Sequence, residues 1–428
     1  MARPRQRAGG LLKHAASARG RRLPRRAGLW RHGDFLLLWS AQGISAVGSR
    51  ITRTALPMAA ILVAGAGAFD LGLLTVALTL PGVLLAWLAG GWVDRHRRRP
   101  LLIATDLVRA GALLAIPAAA FGGWLSLPLL YAVATINGAA TMLFALADHV
   151  FITDLVADKR LQEANAKREA VDAFAEISGP ALGGALVAWL TAPLAIAVDA
   201  ATFVASALLL GRIEKRERVA PAPVATSLAA DVHTGLRAVW RDPTVRALFL
   251  ATTTLTFAMS FMAPLYTLFA LRDLGLSPLA LGIAIGCGGV GGIIGALLAA
   301  PSAVRWGARR TLVGALLVGA AFQVLIPLAP AEPSLALALL IVTQVFGDGA
   351  LTVYLINETT LRQRLLPREA LGRAAATWQV ATGVMTPVGA IVGAVLAETA
   401  GMRPTLWVLA AGTALAALWL ASARRGFR

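Results

Sequence analysis

The sequence predicts an all-α integral membrane protein whose twelve transmembrane helices form two six-helix bundles. Three observations lead there: twelve apolar runs of membrane length, basic residues gathered in alternate loops, and a repeat at an offset of 210 residues. Of 428 residues, 57% are hydrophobic and only 14% charged, and the mean hydropathy is +0.71. Soluble globular domains do not have that composition. A spanning helix needs roughly 20 apolar residues. Such runs fall at 35–60, 71–89, 101–121, 128–150, 170–190 and 194–210, then at 245–269, 279–299, 311–327, 335–357, 374–397 and 405–421. Residues 1–32 are basic and lack an apolar core, so no cleavable secretory signal is expected there. Cys287 is the single cysteine, which excludes an internal disulfide.

A net charge of +18 invites a nucleic-acid reading, so the position of the charge decides. With an even number of spans, 35 of the 40 Lys and Arg residues fall in the two termini and the loops on the side of the termini. Loops rich in Lys and Arg stay cytoplasmic. The expected setting is therefore a bacterial inner membrane, with a multi-pass chain and both termini in the cytoplasm. Residues 1–33 read as a basic tail attracted to anionic lipid, and no nucleic-acid partner is expected.

The repeat organises the chain into a bundle at 34–212, a linker at 213–243, and a second bundle with a short tail at 244–428. At the offset of 210, Gly72 meets Gly282, Gly82 meets Gly292, Gly179 meets Gly389, and Gly183 meets Gly393. Arg95 falls on Arg305, Arg99 on Arg309, and Asp148 on Glu358. In the first span the match uses an offset of 207, with Ala55-Leu56-Pro57 on Met262-Ala263-Pro264. Parallel six-span repeats are what a two-bundle transporter is made from. In the linker, Leu228, Val232, Leu236, Val239 and Trp240 recur at helical spacing. That helix either lies in the membrane interface, held by anionic lipid, or packs on the inner ends of the bundles.

Between the second and third runs stands Gly90-Gly-Trp-Val-Asp94-Arg95-His-Arg97-Arg98-Arg99-Pro100, a short basic turn. It resembles the Gly-x-x-x-Asp-Arg-x-Gly-Arg-Arg signature of the major facilitator superfamily, with Arg97 where the pattern has glycine. On the fifth span, Gly179-Pro180-Ala-Leu-Gly183-Gly184 is similar to the antiporter motif of that superfamily's drug-exporting branches. Trp39-Ser-Ala-Gln-Gly-Ile-Ser, Leu161-Gln-Glu-Ala-Asn165 and Leu371-Gly-Arg373 resemble the branch of macrolide-efflux and enterobactin-exporter proteins. The arginine that many drug antiporters carry in the fourth span is absent, since Ala134 and Thr135 precede Asn137-Gly138.

The resemblance implies that Asp94 caps the N-terminus of the eleventh span, in the other bundle. Arg95, Arg98 or Arg99 then has an acid to pair with at the inner end of the fourth span, where Asp148 is the candidate. With Glu358 and Arg305 in the second repeat, these charges would form an inner gate. The plain alternative is inside-positive charge with Asp94 as a turn residue. Gly179, Gly183 and Gly184 permit close helix approach and Pro180 bends the span. Antiport is the family's implication and does not follow from glycine spacing.

A charge at membrane depth costs at least ~2.5–3.5 kcal/mol on insertion scales, so each one is a functional candidate. Arg50 and Arg53 share one face of the first span. Arginine does not deprotonate, so both need a carboxylate, a water-filled cavity or an anionic substrate. Glu176, with Asp172 one turn earlier, is the expected partner, and a permanent ion pair is the alternative. Asp348, between Gly347 and Gly349 in the tenth span, is the candidate proton carrier; a hydrogen bond to a neighbouring helix is the alternative. Asp199 is placed in a peripheral span, and Asp106 and Arg109 are left to satisfy each other. Polar cavity candidates are Gln42, Asn137 and Gln344, with Ser45, Thr252, Gln379 and Thr382, and Trp378, Tyr266 and Tyr354 as apolar surface.

The resulting expectation is a monomeric secondary transporter that exports a small amphiphilic, drug- or siderophore-like molecule by alternating access. No phosphate-loop motif occurs, so the energy source is an ion gradient, expected to be protons, with no cofactor and no metal. No grouping of nucleophile and base suggests catalysis. Uptake of a small organic solute, and a membrane-anchored scaffold or sensor, are the alternatives.

Overall fold

A computed structural model describes residues 28–88, 96–215 and 228–423; among these there is no strand. The first bundle comprises α1 (Gly33–Leu62), α2 (Ala68–Leu88), α3 (Arg98–Phe121), α4 (Leu127–Leu155), α5 (Leu161–Trp189) and α6 (Ala192–Gly211). The linker helix α7 (Leu228–Arg241) follows. The second bundle comprises α8 (Pro243–Asp273), α9 (Pro278–Trp306), α10 (Ala308–Leu328), α11 (Pro333–Leu365), α12 (Arg368–Thr399) and α13 (Met402–Ser422). Eleven of these helices are long and apolar enough to cross a membrane. The twelfth, α1, is long enough but falls short in apolarity, because Arg50 and Arg53 sit inside it.

The helices outrun the apolar runs at their charged ends. The loop expected at 151–169 shrinks to five residues, because α4 continues to Leu155 and α5 begins at Leu161. Hydropathy marks only the part in hydrocarbon, whereas backbone hydrogen bonding carries the helix on into water. Starts are set by local chemistry. Asp242 accepts from Thr244 N–H (2.7 Å) and Val245 N–H (3.1 Å), with Pro243 in the first turn of α8. Glu332 accepts from the Ser334 hydroxyl and from Leu335 N–H (2.9 Å) at the start of α11. Those bonds hold its carboxyl below the ordinary carboxylate value.

The two bundles repeat each other in detail. The helix starts Gly33, Ala68, Arg98 and Ala192 recur at Pro243, Pro278, Ala308 and Met402, and the ends Leu155 and Trp189 recur at Leu365 and Thr399. The packing α1·α5, α1·α6, α2·α4, α3·α4 and α3·α6 recurs as α8·α12, α8·α13, α9·α11, α10·α11 and α10·α13. Arg99 donates to the carbonyls of Leu210 (2.8 Å) and Gly211, ending α6; Arg309 does the same to Leu420 (3.4 Å) and Ala421, ending α13. The offset of 207 expected for the first span is corrected to 210. Gly179 lies against Val47 and Arg50, while Gly389 lies against Phe257 and Ser260, 210 residues on. The Pro57–Pro264 match is a coincidence of sequence, since Gly65 and Gly275, both at positive φ, close the two turns 210 apart.

The bundles meet along two helix pairs related by the repeat, with tight crossings toward the end opposite the basic loops. On α2 and α12, a Cβ on Gly72 would stand 2.6 Å from the Ala394 Cβ. On α5 and α9, a Cβ on Gly184 would stand 2.9 Å from Gly282 Cα. The α2/α12 crossing also carries a bond from Phe69 N–H to Glu398 Oε1 (3.1 Å). The linker helix follows the second of its two expected readings and packs on α12, with Gly235 against the Arg373 carbonyl and Val239 fully buried. Trp240 meets Phe249 edge-on at 5.9 Å, as Trp30 meets Trp39 at 5.2 Å 210 residues earlier.

Overpacking a well-packed contact costs about 1–3 kcal/mol. Gly184→Val is therefore expected to force the α5/α9 crossing apart. In a Cys287→Ser background, cross-linking between Phe69→Cys and Glu398→Cys should fall several-fold when Gly184→Val is added; undiminished cross-linking would contradict this account of the closed end.

Candidate functional site

Arg50 and Arg53, one helical turn apart on α1, both reach Glu176 on α5. Arg50 Nη2 lies 2.8 Å from Glu176 Oε2, and Arg53 Nη2 bonds Oε1. One carboxylate thus holds two guanidiniums, leaving one positive charge in surplus. Local sequence explains the approach. Gly179 brings α5 onto the Arg50 stem, and Pro180, lacking an N–H, leaves the Glu176 carbonyl without its helical partner. Asp172 lies 4.0 Å from Arg168 and also acts electrostatically on Arg50.

Beside this cluster a cavity of about 250 Å³ is lined by Arg50, Thr52, Arg53, Asn137, Asp199 and, from the second bundle, Pro264, among others. The Asn137 Oδ1 is buried there without a partner. Gly138 and Thr141 also line a larger space of about 520 Å³ toward the basic end, between α2, α4 and α12, where Gln379, Thr382 and Met142 face it. The larger space falls within the size range of small-molecule sites, and the smaller one adjoins it. Asp199, placed in a peripheral span by the sequence, reaches this cavity because Gly48 lets α6 close on α1 at the Asp199 and Thr202 side chains. Only the glycine hints at that approach in the sequence.

Asp348 lies on α11 directly after a π-helical stretch, Thr343–Gly347. Such bulges occur at functional sites because they re-aim the helix face. Its carboxylate is turned to Gly288 on α9, where no side chain fits, and it interacts electrostatically with Glu176 and Tyr266. The Arg50–Arg53–Glu176 cluster and Asp348 are thereby parts of one interior across both bundles. Gln344 is buried beside Gly288, with Oε1 unpartnered.

Other expected site residues take different places. Gln42 is not in the cavity: its Nε2 bonds Asp148 Oδ1. Asp148 also receives Arg168 Nη1 at 3.2 Å, so it is not the partner of the basic turn. Among the described residues Arg98 of the turn meets Asp154 instead, one helical turn beyond the apolar run, at 3.2 Å from Nη1. Glu358 pairs with Arg362 on its own helix (3.6 Å) and not with Arg305, which is exposed in the last turn of α9. Trp378 is buried against Phe249 at 4.9 Å and under the Arg362 guanidinium at 4.6 Å, outside both cavities. Tyr354 is tied to Thr252 at 2.8 Å. Asp94 and Arg95 lie outside the described residues. Gly183 lies on the Ile51 backbone and Gly184 on Gly282, so Gly179, Pro180, Gly183 and Gly184 join α5 to α1 and to α9.

A model of the transmembrane secretion effector family, a branch of the major facilitator superfamily, matches residues 27–425. The chain belongs to this family. It is 27% identical to the multidrug efflux pump Tap of Mycolicibacterium fortuitum over 398 residues, covering 89% of this chain and 93% of that one. Among solved structures it resembles a bacterial homologue of the iron transporter ferroportin in an inward-facing state, with a TM-score of 0.75 at 19% identity over 93% of this chain and 99% of that one. The nucleoside transporter NupG gives 0.75 at 14% identity over 92% and 99%. The protein is a multi-span membrane transporter of the major facilitator type, homologous to Tap, and not an enzyme.

Removing one partner of an ion pair leaves the others uncompensated. These side chains are 30–48% exposed beside the cavity, so the loss is discounted to about 1 kcal/mol. Glu176→Gln should lower the thermal unfolding temperature in detergent measurably more than Arg53→Gln, after which Arg50 keeps the carboxylate. The reverse order would show that Glu176 is not the centre of the cluster.

Proposed function

We propose that this transporter exports small amphiphilic compounds bearing an anionic group from the cytoplasm in exchange for protons, by rocking of its two bundles in a bacterial inner membrane. The single observation behind the substrate class is the surplus guanidinium charge at Arg50 and Arg53, beside a cavity that also presents Asn137. The homology to a multidrug efflux pump supports export. The basic end is taken as cytoplasmic, because loops rich in Lys and Arg stay inside.

In this scheme the anion of the substrate competes with Glu176 for the two guanidiniums. Asp348, within electrostatic reach of Glu176, carries the proton. Proton uptake at Asp348 lowers the negative charge facing the cluster and so alters the hold of Glu176 on the arginines. The tilt of the bundles then alternates access about the α2/α12 and α5/α9 crossings. The charges at Arg98, Asp154, Arg168 and Asp148 tie the basic ends of α3, α4, α5 and α1 together within the first bundle, which moves as one body.

In proteoliposomes with a trapped pH indicator, anionic members of an amphiphilic dye series should drive proton movement, with neutral members at least ~10-fold weaker. Asp348→Asn should abolish the coupling. Undiminished coupling in that variant removes Asp348 from the scheme, and equal flux with neutral dyes removes the anionic substrate class.

A further inference from the structure

The first bundle buries a second set of charges that the scheme above leaves idle. Asp106 and Arg109 on α3 and Asp199 on α6 are 0%, 4% and 1% exposed. Arg109 Nη2 bonds Asp106 Oδ1, and its guanidinium lies between the rings of Phe144 (4.6 Å) and Phe203 (4.1 Å). Asp199 accepts from the Thr202 hydroxyl at 3.0 Å, and Thr52 faces it from α1. Its carboxylate also borders the cavity of Arg50, Arg53 and Asn137.

The repeat supplies an internal control. At the offset of 210, Asp106, Arg109 and Asp199 become Leu316, Gly319 and Leu409, with both leucines fully buried in the same packing. The fold therefore builds this position without charge. Charges at membrane depth carry a cost, and an apolar replacement of a buried pair is often neutral or stabilising. Three charges in one repeat and none in the other point to a task and not to architecture.

Counting the charges identifies the residue that performs it. Two carboxylates share one guanidinium, and Arg109 is committed to Asp106. Asp199 is the acid in surplus and the one of the three that borders the cavity. The charged groups that act on it are Arg109 and Asp106 from α3, and Arg50 and Arg53 from α1 line the same cavity. Glu176 on α5 is engaged by Arg50 and Arg53, and Asp148 on α4 acts on Asp106. Among the described residues no group of three His, Cys, Asp or Glu forms a metal cage. A proton needs none.

We propose that Asp199 is a proton-binding site of the first bundle, loaded and emptied through the cavity that Arg50 and Arg53 line, with Asp106–Arg109 as its fixed background charge. The carboxylate takes a proton from cavity water and returns it there; no other bond changes. Asp199 borders the cavity that the two guanidiniums line, so its charge state changes the space that an anion would enter. This places a second proton site beside the substrate, independent of Asp348.

The test needs no substrate. Infrared difference spectra of the purified transporter, stepped in pH, report carboxyl C=O bands that appear on protonation. We expect one band to be lost in Asp199→Asn and kept in Asp348→Asn. The repeat exchange Asp106→Leu, Arg109→Gly and Asp199→Leu, which copies the second bundle's own residues into the first, should lose the same band while melting at or above the wild-type temperature. It serves as the second variant where the asparagine change impairs folding. A spectrum unchanged in both overturns the proposal. So does loss of the band in Asp106→Asn alone, or a band that responds to sodium replacing choline instead of to pH. Failure of dye-driven coupling with the Asp199 band intact would count against the exporter reading only.

Discussion

Two guanidiniums on one carboxylate set the terms for this protein. Arginine keeps its charge at any accessible pH, so α1 cannot enter a hydrocarbon environment unless Glu176 arrives with it. That requirement explains why α5 lies so close to α1, why Gly179 and Gly183 face α1, and why the helix carries a proline four residues after the acid. It also explains why α1 alone among the twelve long helices falls short of membrane-grade apolarity. The same carboxylate holds α1 against α5 beside the cavity that both arginines line.

The repeat separates what the fold needs from what the chemistry needs. Helix bounds, packing partners, the arginine that ends the sixth helix of each bundle and the edge-on aromatic pair all recur at one offset. Most buried charges do not, and where an acid does recur its partners differ: Asp148 is held by Gln42 and Arg168, whereas its repeat counterpart Glu358 pairs with Arg362, which lies over the Trp378 ring. Arg50 is answered by Ser260. Among the described residues most ion pairs lie in the first bundle, while the second holds Glu358–Arg362 and Asp348.

Architecture is legible in the sequence because hydropathy, loop charge and repeat period each report on a constraint imposed by the membrane. The Arg50–Arg53–Glu176 grouping is also legible, since charges that cannot be neutralised must find each other. What escapes is register at the helix ends. Asp154 lies outside the apolar run, where the sequence reads as loop, which leaves Asp148 as the only acid in view for Arg98. Trp378 and Gln42 have the composition of cavity residues, but one sequence does not say which side of a helix faces the gap between bundles. Asp199 is hidden by its peripheral span, although Gly48 opposite brings α6 onto α1.

The two crossings at the closed end differ in kind. Between α5 and α9 the chains touch backbone on backbone at Gly184 and Gly282, and among the described residues no side-chain hydrogen bond crosses there. Between α2 and α12, the Glu398 carboxylate must release the Phe69 amide before the surfaces part. One seam is bare contact and the other a clasp. In the proposed rocking both seams must yield, and the second asks a hydrogen bond to break as well.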